Sequence, residues 1–300
     1  MSDEKKSFSL IHINVGDWSK PAVTLIEKIS NAIGVVFEPS HMKRIAEAEA
    51  VVDRIRTTAE IERAERLQRA AFRFLAEQMK HQENIESIID KALPGVSEQA
   101  KPEQVEDDWI ANFFDKCRLI SDDEMQRLWA RILAGEANSP GKFSKRTVGL
   151  LASMDKSDAS MFSTLCRFAC TIPPLTPIIY GYTQEMYAQH GITFAFLTHL
   201  ESIGVIRLNL DPTFYFTVDD LDQNTMVDYF GSKIPISFAG NEGMRKRNEL
   251  SIGQAMFTQA GEQLAGICGA KPLDGFLEFL KRSWAGYAVP RPEVFGPPQF

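Results

Sequence analysis

The stretch Asp107–Asp158, DDWIANFFDKCRLISDDEMQRLWARILAGEANSPGKFSKRTVGLLASMDKSD, reads as three amphipathic helices in succession. Asp107 and Asp108 stand where a first helix opens, and Trp109, Ile110, Phe113 and Cys117 recur at the spacing of one apolar face. Ser121 and Glu124 form an S-x-x-E capping box, followed by Met125, Leu128, Trp129, Ile132 and Leu133 at helical spacing, with Gly135 as the expected stop. After the turn Asn138-Ser139-Pro140-Gly141, Ser144 opens a third helix that carries Val148, Leu151 and Met154. This pattern predicts a compact helical domain, and none of its residues forms a catalytic constellation.

Upstream, Ser40–Leu93 contains neither Gly nor Pro and is rich in Ala, Glu, Arg, Ile and Leu. As one helix it would be roughly 80 Å long at about 1.5 Å per residue. Ile45, Ala48, Val52, Ile55 and Ala59 follow a 3-4-3-4 spacing and share one narrow seam. Leu67, Ala71 and Phe74 continue it after a slip, and Ile85, Ile88 and Ala92 lie on it again after an eleven-residue step. A long helix with a thin seam cannot bury itself, so Ile45, Val52, Ile55 and Ala59 are the expected oligomer interface. The mixed charges around the seam, from Lys43 and Arg44 to Asp90 and Lys91, read as a solvated face laced with i,i+4 pairs.

Before that helix, Ser7–Ile13 alternates like a short strand or an extended arm. Pro21 suits the first turn of a helix faced by Val23, Leu25, Ile26, Ile29, Ala32 and Ile33. The segment is too short to span a bilayer. It could lie in a membrane interface, but Glu27 and Lys28 do not make a cationic stripe, so packing on another helix is the expected role.

Pro94–Pro102 reads as a hinge. A second boundary falls near Thr171–Gly181, where Pro173, Pro174 and Pro177 interrupt an apolar run read as a buried helix plus an extended connection. Beyond Gly181, Phe194, Leu197, Leu200 and Ile203 mark a helix closed by Gly204. Strand-like alternation follows at Val205-Ile206, at Phe214, Phe216 and Val218, at Ile234, Ile236 and Phe238, and at Leu250 and Ile252. Thr258 caps a helix through Leu264 and Ile267, and a last helix carries Phe276, Leu277, Phe279, Leu280 and Trp284. Helix, strands, then helix gives a winged-helix outline. The expected fold is mainly α with a smaller α+β part. It comprises an N-terminal arm and amphipathic helix (1–38), a long coiled-coil-like helix (39–94), a central helical domain (103–172), a winged-helix-like domain (181–287) and a Pro-rich tail (288–300).

The runs LWARILAGEANSPGKFSKR (128–146) and WIANFFDKCRLISDDEMQ (109–126) resemble a bacterial family recorded as a domain of unknown function. The resemblance extends to EPSHMKRIAEAEA (38–50) and FTQAGEQLAGICGAKPLDGF (257–276). The LWARILAGE element is similar to a helix of abortive-infection alpha-type proteins of phage defence, which implies a defence setting and no transferable catalytic residues.

With 300 residues, 44% of them hydrophobic, the chain can bury a sizeable core, and its net charge of −7 argues against a general polyanion binder. The four cysteines, 117, 166, 170 and 268, read as reduced thiols in a chain with no charged-then-apolar leader, so a cytoplasmic location is expected. Cys166 and Cys170 fall i,i+4 on an apparent helix, but no further ligands follow at metal-site spacing, and no metal or cofactor is expected. His12, His41, His81, His190 and His199 are scattered, and no phosphate loop, G-x-S-x-G elbow or H-E-x-x-H is present. Asp122, Asp123 and Glu124 are explained by a first helical turn.

Nucleic-acid binding, suggested by the winged-helix outline, meets an obstacle: no Lys or Arg occurs from Phe168 to Ile206, the span that includes the candidate recognition helix. Arg245, Lys246 and Arg247 form the most suitable cationic cluster, with Lys142, Lys145 and Arg146 a second. The sequence therefore predicts a non-catalytic oligomerising or adaptor protein, with a homo-oligomer and a protein partner expected. The alternatives are a nucleic-acid-binding regulator and a membrane-interacting effector.

Overall fold

The computed structural model describes residues 19–33, 58–210, 214–217, 225–236 and 249–285. The chain divides into two compact units, Met1–Ala152 and Ser153–Phe300.

In the described residues the first unit is helical: α1 (Lys20–Ile33), α2 (Thr58–Ala92), α3 (Asp107–Cys117), α4 (Asp123–Asn138) and α5 (Lys145–Ser153), with single 3-10 turns at Leu93–Gly95 and Pro102–Gln104. α1 buries Ala22, Leu25, Ile26 and Ile29 and packs on α3 and the second 3-10 turn. Its apolar face is thus covered by protein, which is the packing role predicted for it. The core joins Trp109 stacked on Phe113 (centroids 5.1 Å) to Trp129, edge-on to Phe113 at 5.1 Å. Val148 and Leu151 are buried on α5 as their spacing requires, whereas Met154, expected on the same helix, is buried just past its end at Ser153.

Two local details differ from expectation. The cap of α4 is Asp122, whose carboxylate accepts from the amides of Glu124 and Met125 at 3.1 Å, in place of Ser121. The helix also runs through Gly135 to Asn138. Gly135 is there for closeness: a Cβ at this position would sit 2.7 Å from Cε2 of Phe143.

The second unit comprises α6 (Lys156–Cys166), β1 (Ala169–Thr171), β2 (Leu175–Pro177), α7 (Glu185–Ala188), α8 (Phe194–Ser202), β3 (Ile206–Leu208), β4 (Phe214–Thr217), β5 (Thr225–Tyr229), β6 (Ser232–Ile236), β7 (Glu249–Gly253), β8 (Ala255–Phe257), α9 (Gln259–Ala265) and α10 (Phe276–Ser283). Its strands pair antiparallel as a four-stranded sheet, β2-β1-β5-β6, and two ribbons, β3-β8 and β4-β7. The apolar run before the prolines ends α6 at Cys166 and continues as the β1–β2 hairpin, so Cys170 lies on a strand and does not share a helix with Cys166. An aromatic cluster binds the sheet to α7 and α10: Phe168 meets Tyr187 (5.4 Å) and Phe276 (5.0 Å), and Tyr229 meets Phe276 (5.3 Å). At the start of α9, Thr258 Oγ1 accepts from the Gly261 amide. Gly261 lies so close to Val205 that a Cβ would stand 1.9 Å from its carbonyl oxygen.

Candidate interaction surfaces

The eleven-residue step on α2 is filled by two polar residues. Leu67, Ala71, Phe74, Gln78, His81, Ile85, Ile88 and Ala92 alternate steps of four and three without a break, so one heptad phase runs from Leu67 to the end of the helix. The C-terminal half of this stripe is covered: His81, Ile88, Ile89 and Ala92 are buried, and α2 packs on α3 and α4. The preceding half is not. Leu67 is 50% exposed and Phe74 58%, with Phe72 and Met79 also open on the flank. At the boundary His81 is buried with no partner for Nδ1 among the described residues, and its Nε2 is 3.8 Å from a Glu77 oxygen.

A polar network sets where the covered half begins. Asn84 Nδ2 donates to the Arg118 carbonyl (2.8 Å), and Gln126 Nε2 donates to the Ile120 carbonyl (2.9 Å). Ser87 Oγ and Lys91 Nζ both donate to Gln126 Oε1 at 2.8 Å. Lys91 also pairs with Asp123 (3.2 Å). Hydrogen bonds from Lys91 and Arg127 hold the Asp123 carboxyl below the usual carboxylate range. Asp122 and Asp123 are therefore occupied by capping and by cations on α2 and α4. Sequence reasoning missed this network because its links from α2 to the rest of the unit join residues 32 to 42 positions apart.

A cavity of about 600 Å³ lies beside Glu106, Trp109, Glu136, Phe143 and Lys145. Its buried carboxylate is already engaged: Glu136 accepts from the amides of Gly141 (2.6 Å) and Phe143 (2.8 Å). Burial pushes the Glu136 carboxyl above its ordinary value, and these amides oppose the shift. The group closes the Ser139–Phe143 turn. In the nearby basic cluster, Lys142 stands over the Phe143 ring (5.4 Å) and Lys145 pairs with Asp108 (3.7 Å).

In the second unit, α8 is capped by Thr193 and anchored to α6 by His199 Nε2, 2.6 Å from Asp158 Oδ1. Asp158 is itself buried and completes the capping box of α6 with Asp155. Leu197 and Leu200 face inward, while Phe194, Ala195, Glu201 and Ser202 face outward with no Lys or Arg among them. The ring of Tyr182 lies 5.8 Å from that of Phe194.

Residues 68–281, more than two thirds of the chain, match a family described as a protein of unknown function, DUF2806. The chain belongs to the DUF2806 family. No curated protein and no solved structure matches it. The DUF2806 match begins within the exposed half of the α2 stripe and ends in α10, so it takes in parts of both units. Of the predicted site residues, Ile45, Val52 and Ile55 lie outside the described residues, as does the side chain of Ala59. Arg245, Lys246 and Arg247 also lie outside them. No described helix is long and apolar enough to cross a membrane, and the described residues contain no His, Cys, Asp and Glu group arranged to hold a metal.

Proposed function

We propose that this chain is a non-catalytic oligomerising or adaptor protein, and that a second copy is the first partner of α2. The observation that carries this reading is the uncovered half of the α2 heptad, where Leu67 and Phe74 continue the stripe that α3 and α4 bury further along. Exposed large apolar side chains gathered on one helix face mark a partner surface. Its flanks carry both signs, Glu65, Arg66, Arg69, Arg73, Glu77 and Lys80, so two copies of the helix can lie together without net repulsion of one sign. Gln78 at a seam position supplies register at some cost in stability. The likeness of Leu128–Glu136 to a helix of abortive-infection proteins makes bacterial anti-phage defence the proposed setting. Light scattering on the purified chain tests the reading. A mass above one chain that falls in Leu67→Glu/Phe74→Glu, with helical content kept, supports it; a wild-type mass of one chain at all micromolar concentrations overturns self-association.

Nucleic-acid binding through a winged-helix-like second unit remains the alternative. The order α6, α7, α8, then the β3–β8 ribbon supports that outline. The cation-free face of α8 argues that any contact would come from Arg245, Lys246 and Arg247 and would be read through phosphates.

A further inference from the structure

Two thiols 102 positions apart meet in the second unit. Cys166 is the last residue of α6 and is buried, whereas Cys268 follows α9 and is half-buried. Cys268 Sγ lies 3.3 Å from the Ala265 carbonyl, to which it donates, and the Cys268 thiol stands near enough to Cys166 to push that thiol up. The same juxtaposition appears from the cavity side. Cys166 lines a cavity of about 230 Å³ together with Ala265, Gly266, Gly269 and Ala270, the residues on either side of Cys268. A space of that size admits water and a molecule as small as hydrogen peroxide.

We propose that Cys166 and Cys268 are a redox modification site that takes a peroxide and closes to a reversible intramolecular disulfide. Burial and the neighbouring thiol hold Cys166 well above the ordinary thiol range, so Cys268 is the residue oxidised first. Its sulfur attacks one peroxide oxygen; the S–O bond forms as the O–O bond breaks, giving a sulfenic acid and water. Cys166 sulfur then attacks Cys268 sulfur, the S–O bond breaks, and the departing hydroxide leaves as water with the Cys166 proton. The two thiols supply the two electrons that reduce peroxide to water. Proximity offsets the slow ionisation of Cys166, because the second step is intramolecular. The segment after α9 is outside regular structure from Gly266 to Gly275, with Gly269 at φ +76°, so it can adjust towards disulfide geometry without breaking a helix or a strand.

The test treats the full chain with graded hydrogen peroxide, then denatures it, alkylates it and measures intact mass and non-reduced peptides. The expected result is an intact mass short of two alkyl groups, a fall of about 2 Da when alkylation is omitted, and a linked Cys166–Cys268 peptide, all reversed by dithiothreitol. In Cys166→Ser, Cys268 should progress to sulfinic acid with no linked peptide; if that variant does not fold, Cys268→Ala, at a half-buried position, should leave Cys166 reduced at the same dose. Four alkylatable thiols at doses that oxidise exposed methionine would overturn the proposal. So would direct sulfinic acid formation at Cys268 in the wild-type chain, or a linked peptide that uses Cys117 or Cys170.

Discussion

Trp109 and Trp129 touch the same ring, Phe113, and are both buried, yet they should respond differently to replacement by Phe. Each change removes about the same volume, ~40 Å³, which at about 24 cal/mol per Å³ costs about 1 kcal/mol. The indole N–H groups separate them. Trp109 Nε1 donates to the Phe143 carbonyl at 2.6 Å, a bond that ties α3 to the loop before α5. Trp129 Nε1 is buried with no partner among the described residues. Losing the first donor leaves a buried carbonyl unpaired, adding about 1–3 kcal/mol; losing the second removes an unpaired donor and returns up to about 1 kcal/mol. Trp109→Phe should therefore cost about 2–4 kcal/mol and Trp129→Phe about 0–1 kcal/mol. Urea unfolding followed by far-ultraviolet circular dichroism reads both as midpoint shifts at an unchanged m value. If Trp129→Phe proves equally or more destabilising, hydrogen bonding does not decide the fate of these rings.

Gly135→Ala should lower the melting temperature, with about 1–3 kcal/mol of overpacking against Phe143 exceeding the ~1 kcal/mol gained in helix propensity, and a raised melting temperature would refute the close approach. Gly261→Ala should be harsher still, because its Cβ meets the Val205 backbone, and calorimetry should show loss of the second unit's transition. The Asp123 carboxyl, held low by Lys91 and Arg127, contributes stability that is fully present above its ordinary value of 3.8 and is lost as pH falls through its lower folded-state value. In Lys91→Met its titration, followed by NMR, should move up; an unmoved titration would show that Lys91 is not the cause.

What the sequence made legible was periodicity. The faces of α3, α4 and α5 appeared at helical spacing, and the Leu67 to Ala92 seam could be traced across its eleven-residue gap. What escaped was anything decided by groups that folding brings together. Gly135 reads as a stop until the Phe143 ring is placed against it, and then it reads as a site of close approach. Ser121 and Glu124 match a capping pattern, but Asp122 is one step nearer the first free amides and takes them. Cys166 and Cys170 look like neighbours on one helix, whereas β1 begins between them and Cys166 finds Cys268 instead. His199 reads in the sequence as a packed or hydrogen-bonded residue and is one, but its partner Asp158, 41 positions away, could not be named before folding joined them.

The same distinction bears on function. A catalytic centre needs polar groups left available to a substrate, whereas the acidic groups most suggestive of chemistry here, Asp122, Asp123, Glu136 and Asp158, are each bound to a backbone amide, a cation or an imidazole of the chain itself. The large apolar side chains open to solvent among the described residues include Leu67, Phe72, Phe74 and Met79 on α2, and Phe194 on α8. Apolar surface on two helices, one in each unit, suits contact with other protein, and it is on this surface that the adaptor proposal rests.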